Sequence, residues 1–281
     1  MRWFRVALLV LLLNSGSAMA AEIDEGWDAV RRGEYGKAVA VFSELAGGGD
    51  ADAMFALGWL YSRGQGVARD VEGGERWLSD AASLGHVEAR TELGYLYALG
   101  LGLPRDRDRA EELDRLAAAA GSRTAINNLA YGWAEAGRNL DQALALLTPL
   151  LADAPDDSAV LDTFGWILYR MGRAGDALPP LCQAARREPG HPEILGHLGD
   201  ALWRLGHRVE AQHNWRRALD LMRGSQALSE AGADFAASRA GESWLFGIRA
   251  RLARGLPDGP GAAAPDRSDA PLPVECAAPT S

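Results

Sequence analysis

Apolar side chains recur along the middle of this chain at three- and four-residue spacing, in stretches of about a dozen residues punctuated by glycine. Residues 157 to 190 show the unit most clearly. Asp157 is a plausible N-cap, and an amphipathic stretch follows through Leu161, Phe164, Leu168 and Met171. Gly172 stands where a helix end wants a left-handed residue. A second stretch runs through Ala177, Leu181 and Ala184 until Pro189 stops it. Gly165 and Ala177 are small where large side chains would hold the two helices apart. The pattern predicts two antiparallel helices, and no run alternates with the period of two that a strand requires.

That hairpin is repeated, at two different periods. In the first half Leu57-Gly58 returns 36 residues later as Leu93-Gly94. The same step takes Tyr61 to Tyr97, Gly64 to Gly100, Gly66 to Gly102, Asp70 to Asp106, Gly85 to Gly121 and Ala89 to Ala125. In the second half a step of 34 takes Gly165 to Gly199, Gly172 to Gly206, Ala177 to Ala211 and Ala184 to Ala218. One hairpin cannot bury its apolar face, but a stack of them can. The expected fold is therefore all-α, a right-handed α-solenoid of about six stacked helical hairpins.

The second half resembles the tetratricopeptide repeat (TPR) family. Its motif is carried by Leu161, Phe164-Gly165, Leu168, Ala177, Leu181 and Pro189, and by Leu195, Leu198-Gly199, Leu202, Ala211, Trp215 and Ala218 in the next unit. An earlier unit offers Leu129-Ala130, Trp133, Gly137, Ala143, Leu147 and Pro155, with one extra residue between Gly137 and Ala143. The 36-residue units look like the Sel1-like variant of the hairpin, with Gly64-Gln65-Gly66-Val67 and Gly100-Leu101-Gly102-Leu103 as its extended turn. A degenerate unit precedes them at Trp27, Gly33, Tyr35, Ala38 and Phe42. The expected organisation is an export signal over 1–20, Sel1-like repeats over 21–124, TPR repeats over 125–223, capping helices over 224–256 and a disordered tail over 257–281. Within 224–256, Trp244, Leu245, Ile248 and Leu252 have the spacing of a helix that covers the open end of a stack.

The resemblance also implies a binding face. TPR arrays line a groove with the first helix of each hairpin, and the matching positions here are Asn127 and Tyr131, then Asp162, Trp166, Tyr169 and Arg170, then His197, Asp200, Trp203 and Arg204. Aromatic groups beside hydrogen-bonding groups suit peptide and protein recognition. The other reading, that Trp166 and Trp203 pack between neighbouring hairpins, is equally open at this point. The implied function is a non-enzymatic scaffold or adaptor that binds protein or peptide partners in cell-envelope assembly or signalling. The alternative is a regulator that binds polysaccharide or peptidoglycan by stacking sugars on the aromatics.

The ends and the composition narrow the setting. Arg2 and Arg5 precede an apolar run from Val6 to Leu13, and Ala18-Met19-Ala20 follows, the order of a cleavable export signal. The run is short for a membrane span, and no later segment is apolar enough for one. The expected location is periplasmic, or secreted as the alternative, with a mature start near Ala21. Removing Arg2 and Arg5 takes the formal net charge from -9 to -11, which disfavours nucleic acid and anionic lipid as partners. Export permits a disulfide between Cys182 and Cys276, but sequence separation does not decide their geometry.

No cofactor, metal or catalytic set is expected. The paired glycines do not continue as a phosphate-binding G-x-G-x-x-G, and no strand precedes them. His191, His197, His207 and His213 fall in one repeat, at different places on the hairpin, without zinc-type spacing. His86, in a turn between units, is expected to be solvated. No nucleophile elbow is present.

Overall fold

The computed structural model describes residues 21–225, 239–256 and 276. The expected export signal and, Cys276 apart, the tail from 257 lie outside them. The described residues are helical hairpins throughout, without strand, and belong to the all-α solenoid class. They form two compact units, one up to Leu96 and one from Tyr97, each described by itself.

Unit 1 comprises α1 (21–31), α2 (Tyr35–Gly47), α3 (Ala51–Arg63), α4 (Val71–Ser83) and most of α5 (Val87–Leu99). Its core is Phe42, Leu45, Leu57 and Leu60 around the small residues Ala29, Ala38, Ala53 and Ala56. Small residues let the helices of each hairpin close up. A Cβ on Gly58 would stand 2.5 Å from Leu78 Cγ, so no other residue fits the α3–α4 crossing. The turn between α3 and α4 explains the paired glycines of the 36-residue period. Gly64 ends α3 in left-handed conformation (φ 68°), and Gly66 (φ 77°) lets the backbone pass Tyr35, where a Cβ would meet Tyr35 Cβ at 2.4 Å. Asp70 N–H then closes the loop onto Tyr61 C=O at 3.0 Å, and its carboxylate caps α4 by accepting from Gly73 N at 2.8 Å.

His86 is not solvated. Its side chain is 8% exposed, stacked on Phe55 with centroids 4.8 Å apart. Its Nδ1 accepts from Ala89 N at 3.1 Å, capping α5, while Nε2 lies 3.0 Å from Asp52 Oδ1. The turn brings the ring back over α3, and the ring takes the capping role that Asp or Ser plays elsewhere.

Unit 2 comprises α6 (Arg107–Ala119), α7 (Arg123–Ala136), α8 (Leu140–Asp153), α9 (Ser158–Arg170), α10 (Ala174–Arg187), α11 (Pro192–Arg204), α12 (Arg208–Ser225) and α13 (Arg239–Arg254). Asp106, Ser122, Asp157 and His191 cap α6, α7, α9 and α11 with side-chain acceptors. The extra residue after Gly137 is absorbed by Asn139, which takes left-handed φ 53°, a conformation Asn tolerates. Gly165 on α9 and Gly199 on α11 repeat the device seen at Gly58: a Cβ at Gly165 would meet Leu181 Cγ at 2.6 Å, and one at Gly199 would meet Trp215 Nε1 at 2.4 Å.

α13 closes the stack. It packs on α12, contributes the fully buried Ile248 to the core of the last hairpin, and half-buries Trp244, Leu245 and Leu252 against it. It also runs alongside α11 in the same direction, since Gly196 meets Trp244 and Ile248, Asp200 pairs with Arg251, and Trp203 meets Gly255. α13 thus takes the place of the next first helix.

Cys182, buried in α10, is disulfide-bonded to Cys276. The pairing that the sequence left open is made.

Candidate functional site

The first helices of unit 2, α7, α9 and α11, present equivalent positions about one repeat apart, so same-face side chains stand side by side. The structure brings the expected residues together, but mostly as an internal polar and aromatic ladder. His197 Nδ1 lies 3.0 Å from both carboxylate oxygens of Asp162. The His197 ring stacks on Trp166 at 4.2 Å between centroids, and Trp166 stacks in turn on Tyr169 at 5.0 Å. Tyr131 donates its hydroxyl to Glu193 at 2.6 Å and tilts against His197 at 6.0 Å. Asp200 accepts from Trp215 Nε1 at 2.9 Å and pairs with Arg251 at 2.9 Å. Arg204 Nε donates to Tyr169 Oη at 3.4 Å. Asn127 joins the face half-buried, and its Oδ1 is buried without a hydrogen-bond donor among the described residues.

Burial separates the aromatic candidates: Tyr131, Tyr169 and Trp203 are half-buried, whereas Trp166 is buried outright. Trp166 is 5% exposed, His197 4% and Asp200 1%. Trp166 Nε1 donates to Glu135 at 2.9 Å, as Trp133 Nε1 does to Glu111 at 3.0 Å and Trp215 to Asp200, so each indole buries its ring and satisfies its one donor on a carboxylate. Trp203 is half-buried between Trp215 (5.3 Å), the Arg208 guanidinium (5.1 Å) and Gly255, where a Cβ would stand 2.1 Å from its ring. The packing reading therefore accounts for Trp203 and for the ring of Trp166.

What remains open on this face is a cavity of about 810 Å³. Trp166, Tyr169 and Glu135 line one side and Gly247, Ala250 and Leu256 the other. Arg170, Arg204, Arg251 and Arg254 all reach it, from the last turns of α9, α11 and α13. Arg170 also donates to Glu135 C=O at 3.1 Å. Glu135, Arg251 and Arg254 were not among the expected site residues. Glu135 stands 35 residues before Arg170, so the repeat could have found it. The two arginines could not be found that way, because α13 departs from the repeat.

The electrostatics follow from burial. Desolvation opposes the charged form of His197, yet the Asp162 carboxylate beside it, with Glu193 and Glu135 further off, carries its pKa up to about 9. Burial raises Asp200 above the usual carboxylate range against the pull of Arg251 and His197. Burial, then the charges of Glu193 and Glu135, push Tyr131 well above an ordinary phenol. Apart from this face, burial pushes Asp114 on α6 up to about 7, opposed by a 3.5 Å hydrogen bond from Asn128. No group of three or more metal-ligating side chains occurs among the described residues, and His191, His197, His207 and His213 do not converge into one. No described helix is long and apolar enough to cross a membrane.

Comparison with known proteins assigns the hairpins that carry the 36-residue period. The Sel1 repeat family model matches residues 51–86 and 87–122, the two segments whose glycines recur at 36 residues. Residues 51–122 are two Sel1 repeats. A TPR repeat-containing protein of Pseudomonas aeruginosa is 41% identical over 76 residues, which span 27% of this chain and only 13% of that protein's length. Among solved structures, a Sel1 repeat protein from Oxalobacter formigenes aligns over 81% of this chain and 98% of its own (TM-score 0.52, 20% identity). A protective antigen of uropathogenic Escherichia coli displaying an SLR fold aligns over 85% of this chain and 57% of its own (TM-score 0.56, 20% identity). At these identities the two structures establish the fold. Residues 51–122 thus carry two Sel1 repeats, and the described residues share the helical-repeat solenoid fold of these Sel1 and SLR structures.

Proposed function

We propose that this chain is an exported adaptor of the cell envelope, and that the cavity on the first-helix face of unit 2 docks a protein or peptide partner. The carrying observation is the cavity itself. Its walls combine the ladder of α9 and α11 with the capping helix α13, so the shape is preformed, and a preformed site spares the entropy of ordering. Export is supported by the order of charge, apolar run and small residues over 1–20, and by the Cys182–Cys276 disulfide, which suits an oxidising compartment.

The test is capture by crosslinking in the native envelope, comparing wild type with Ala250→Trp, which fills the cavity without changing charge. The reading expects a specific partner held by the wild type and lost by the folded variant. Capture of the same partner by both would move binding to another surface. If defined envelope glycans bind the wild type and no protein is captured, the polysaccharide reading replaces this one. Export is tested separately, by the mass of the processed chain, which should begin at Ala21.

A further inference from the structure

We propose that the cavity of unit 2 recognises an acidic segment of its partner, a run of Glu or Asp whose side-chain carboxylates seat on Arg170, Arg204, Arg251 and Arg254. The proposal rests on the adaptor reading and specifies its ligand.

Four guanidinium groups line one cavity in a chain whose formal net charge is -9. The carboxylates in the same wall are Glu135 and Asp200, and both are engaged internally. Asp200, 1% exposed, is held by Trp215 Nε1 and Arg251, and Glu135 accepts from Trp166 Nε1. Each guanidinium carries five N–H donors in a planar fork. The bonds Arg170 makes to Glu135 and Arg251 makes to Asp200 therefore leave donors over, while Arg254 is exposed. Cations in the last turn of a helix complement its dipole, which accounts for arginines at the ends of α9, α11 and α13. It does not account for three helix ends directing their arginines to one cavity.

The fork geometry matches carboxylate and phosphate alike. Two features of the wall favour carboxylates on a peptide. Glu135 and Asp200 would repel a dianionic phosphate more strongly than a singly charged carboxylate. Gly247, Ala250 and Leu256 give the opposite wall an apolar surface that suits the methylene stems of Glu and a passing backbone.

The test is fluorescence anisotropy on the full mature chain with a labelled hexaglutamate, amidated so that it has no terminal carboxylate. The comparison probes are a labelled hexaglutamine and an oligogalacturonate of matching charge. Hexaglutamate should bind at least tenfold more tightly than hexaglutamine, and weaken as salt rises. Arg204→Gln with Arg254→Gln should cost tenfold or more at an unchanged melting temperature. If that double variant does not fold, Arg254→Gln alone should cost about threefold. Equal affinity for the two peptides, an unchanged affinity in Arg254→Gln, or binding of the uronate without the hexaglutamate would each overturn the proposal. Should Ala250→Trp abolish partner capture while hexaglutamate fails to bind, the acidic-segment inference falls and the adaptor reading stands.

Discussion

His197 Nδ1 and the Asp162 carboxylate, one repeat apart on adjacent first helices, meet at 3.0 Å with both residues buried. The pair ties α11 to α9 through charge as well as packing, and so makes this junction sensitive to pH. His197 titrates near 9 in the fold, above its ordinary 6.5, so the folded state holds the proton more tightly than the unfolded one. Its contribution is fully present below about pH 6.5 and is lost as pH rises through 9. Urea unfolding of the wild type at pH 6, 7.5 and 9.5 should show a decline, at most about 3 kcal/mol from this group. His197→Gln should flatten that decline while lowering stability at pH 6, since Asp162 is left buried without its cation. A decline of equal size in the variant would place its origin elsewhere.

The hairpin glycines should be intolerant for a steric reason that the exposed ones lack. Gly199 faces Trp215, which is fully buried and donates to Asp200, so a methyl group would displace the indole and break that hydrogen bond. Gly199→Ala should cost roughly 2–4 kcal/mol, overpacking plus the buried carboxylate left short of a donor. Gly132 and Gly175 sit in helices where an added methyl group would have nothing within 4 Å. Alanine at either should be neutral or gain about 0.5–1 kcal/mol. Equal losses at Gly199 and Gly132 in thermal melts would refute the close-packing account.

The glycine spacing made the hairpins legible, because a helix end and a helix crossing each demand a residue without Cβ. Same-face positions were legible too, since the repeat places Asp162 beside His197. What the repeat does not encode is depth. Trp166 and Asp200 carry the residue types of an exposed anchor and a groove acid, yet neighbouring helices bury both, α13 among them through Arg251. That helix lies beyond the last motif, so neither its arginines nor its cover over Trp203 follows from periodicity. His86 shows the same limit in unit 1: a turn residue reads as solvated until the turn folds it onto Phe55.

Asp114 offers a linkage of its own. Burial raises it to about 7, so the fold favours its protonated form, and the group costs increasing stability as pH rises from about 4 through 7. Asn is close to isosteric and carries no charge. Asp114→Asn should be near neutral at pH 4 and stabilise by at least about 1 kcal/mol at pH 8. A variant that melts lower than wild type at pH 8 would mean that the carboxylate is stabilised by the fold.

The Cys182–Cys276 disulfide fastens the end of the chain to α10 across 94 residues of sequence. A loop of that length loses much of its unfolded-state freedom, and the bond should contribute about 2–4 kcal/mol. Between the two cysteines lie α11 and α13, which complete the cavity wall with Arg204, Arg251 and Arg254, and α12, on which α13 packs. Reduction should therefore loosen this wall before the hairpins of unit 1. Melts with and without a phosphine reductant should differ by several degrees, and Cys182→Ala with Cys276→Ala should reproduce the reduced curve without further response to reductant. Hydrogen exchange on the reduced chain should rise first in α13, whose contacts to α11 and α12 are its described anchors. Faster exchange in α3 or α4 instead would show that the bond does not act on the cavity, and would remove the structural link between an oxidising compartment and a formed site.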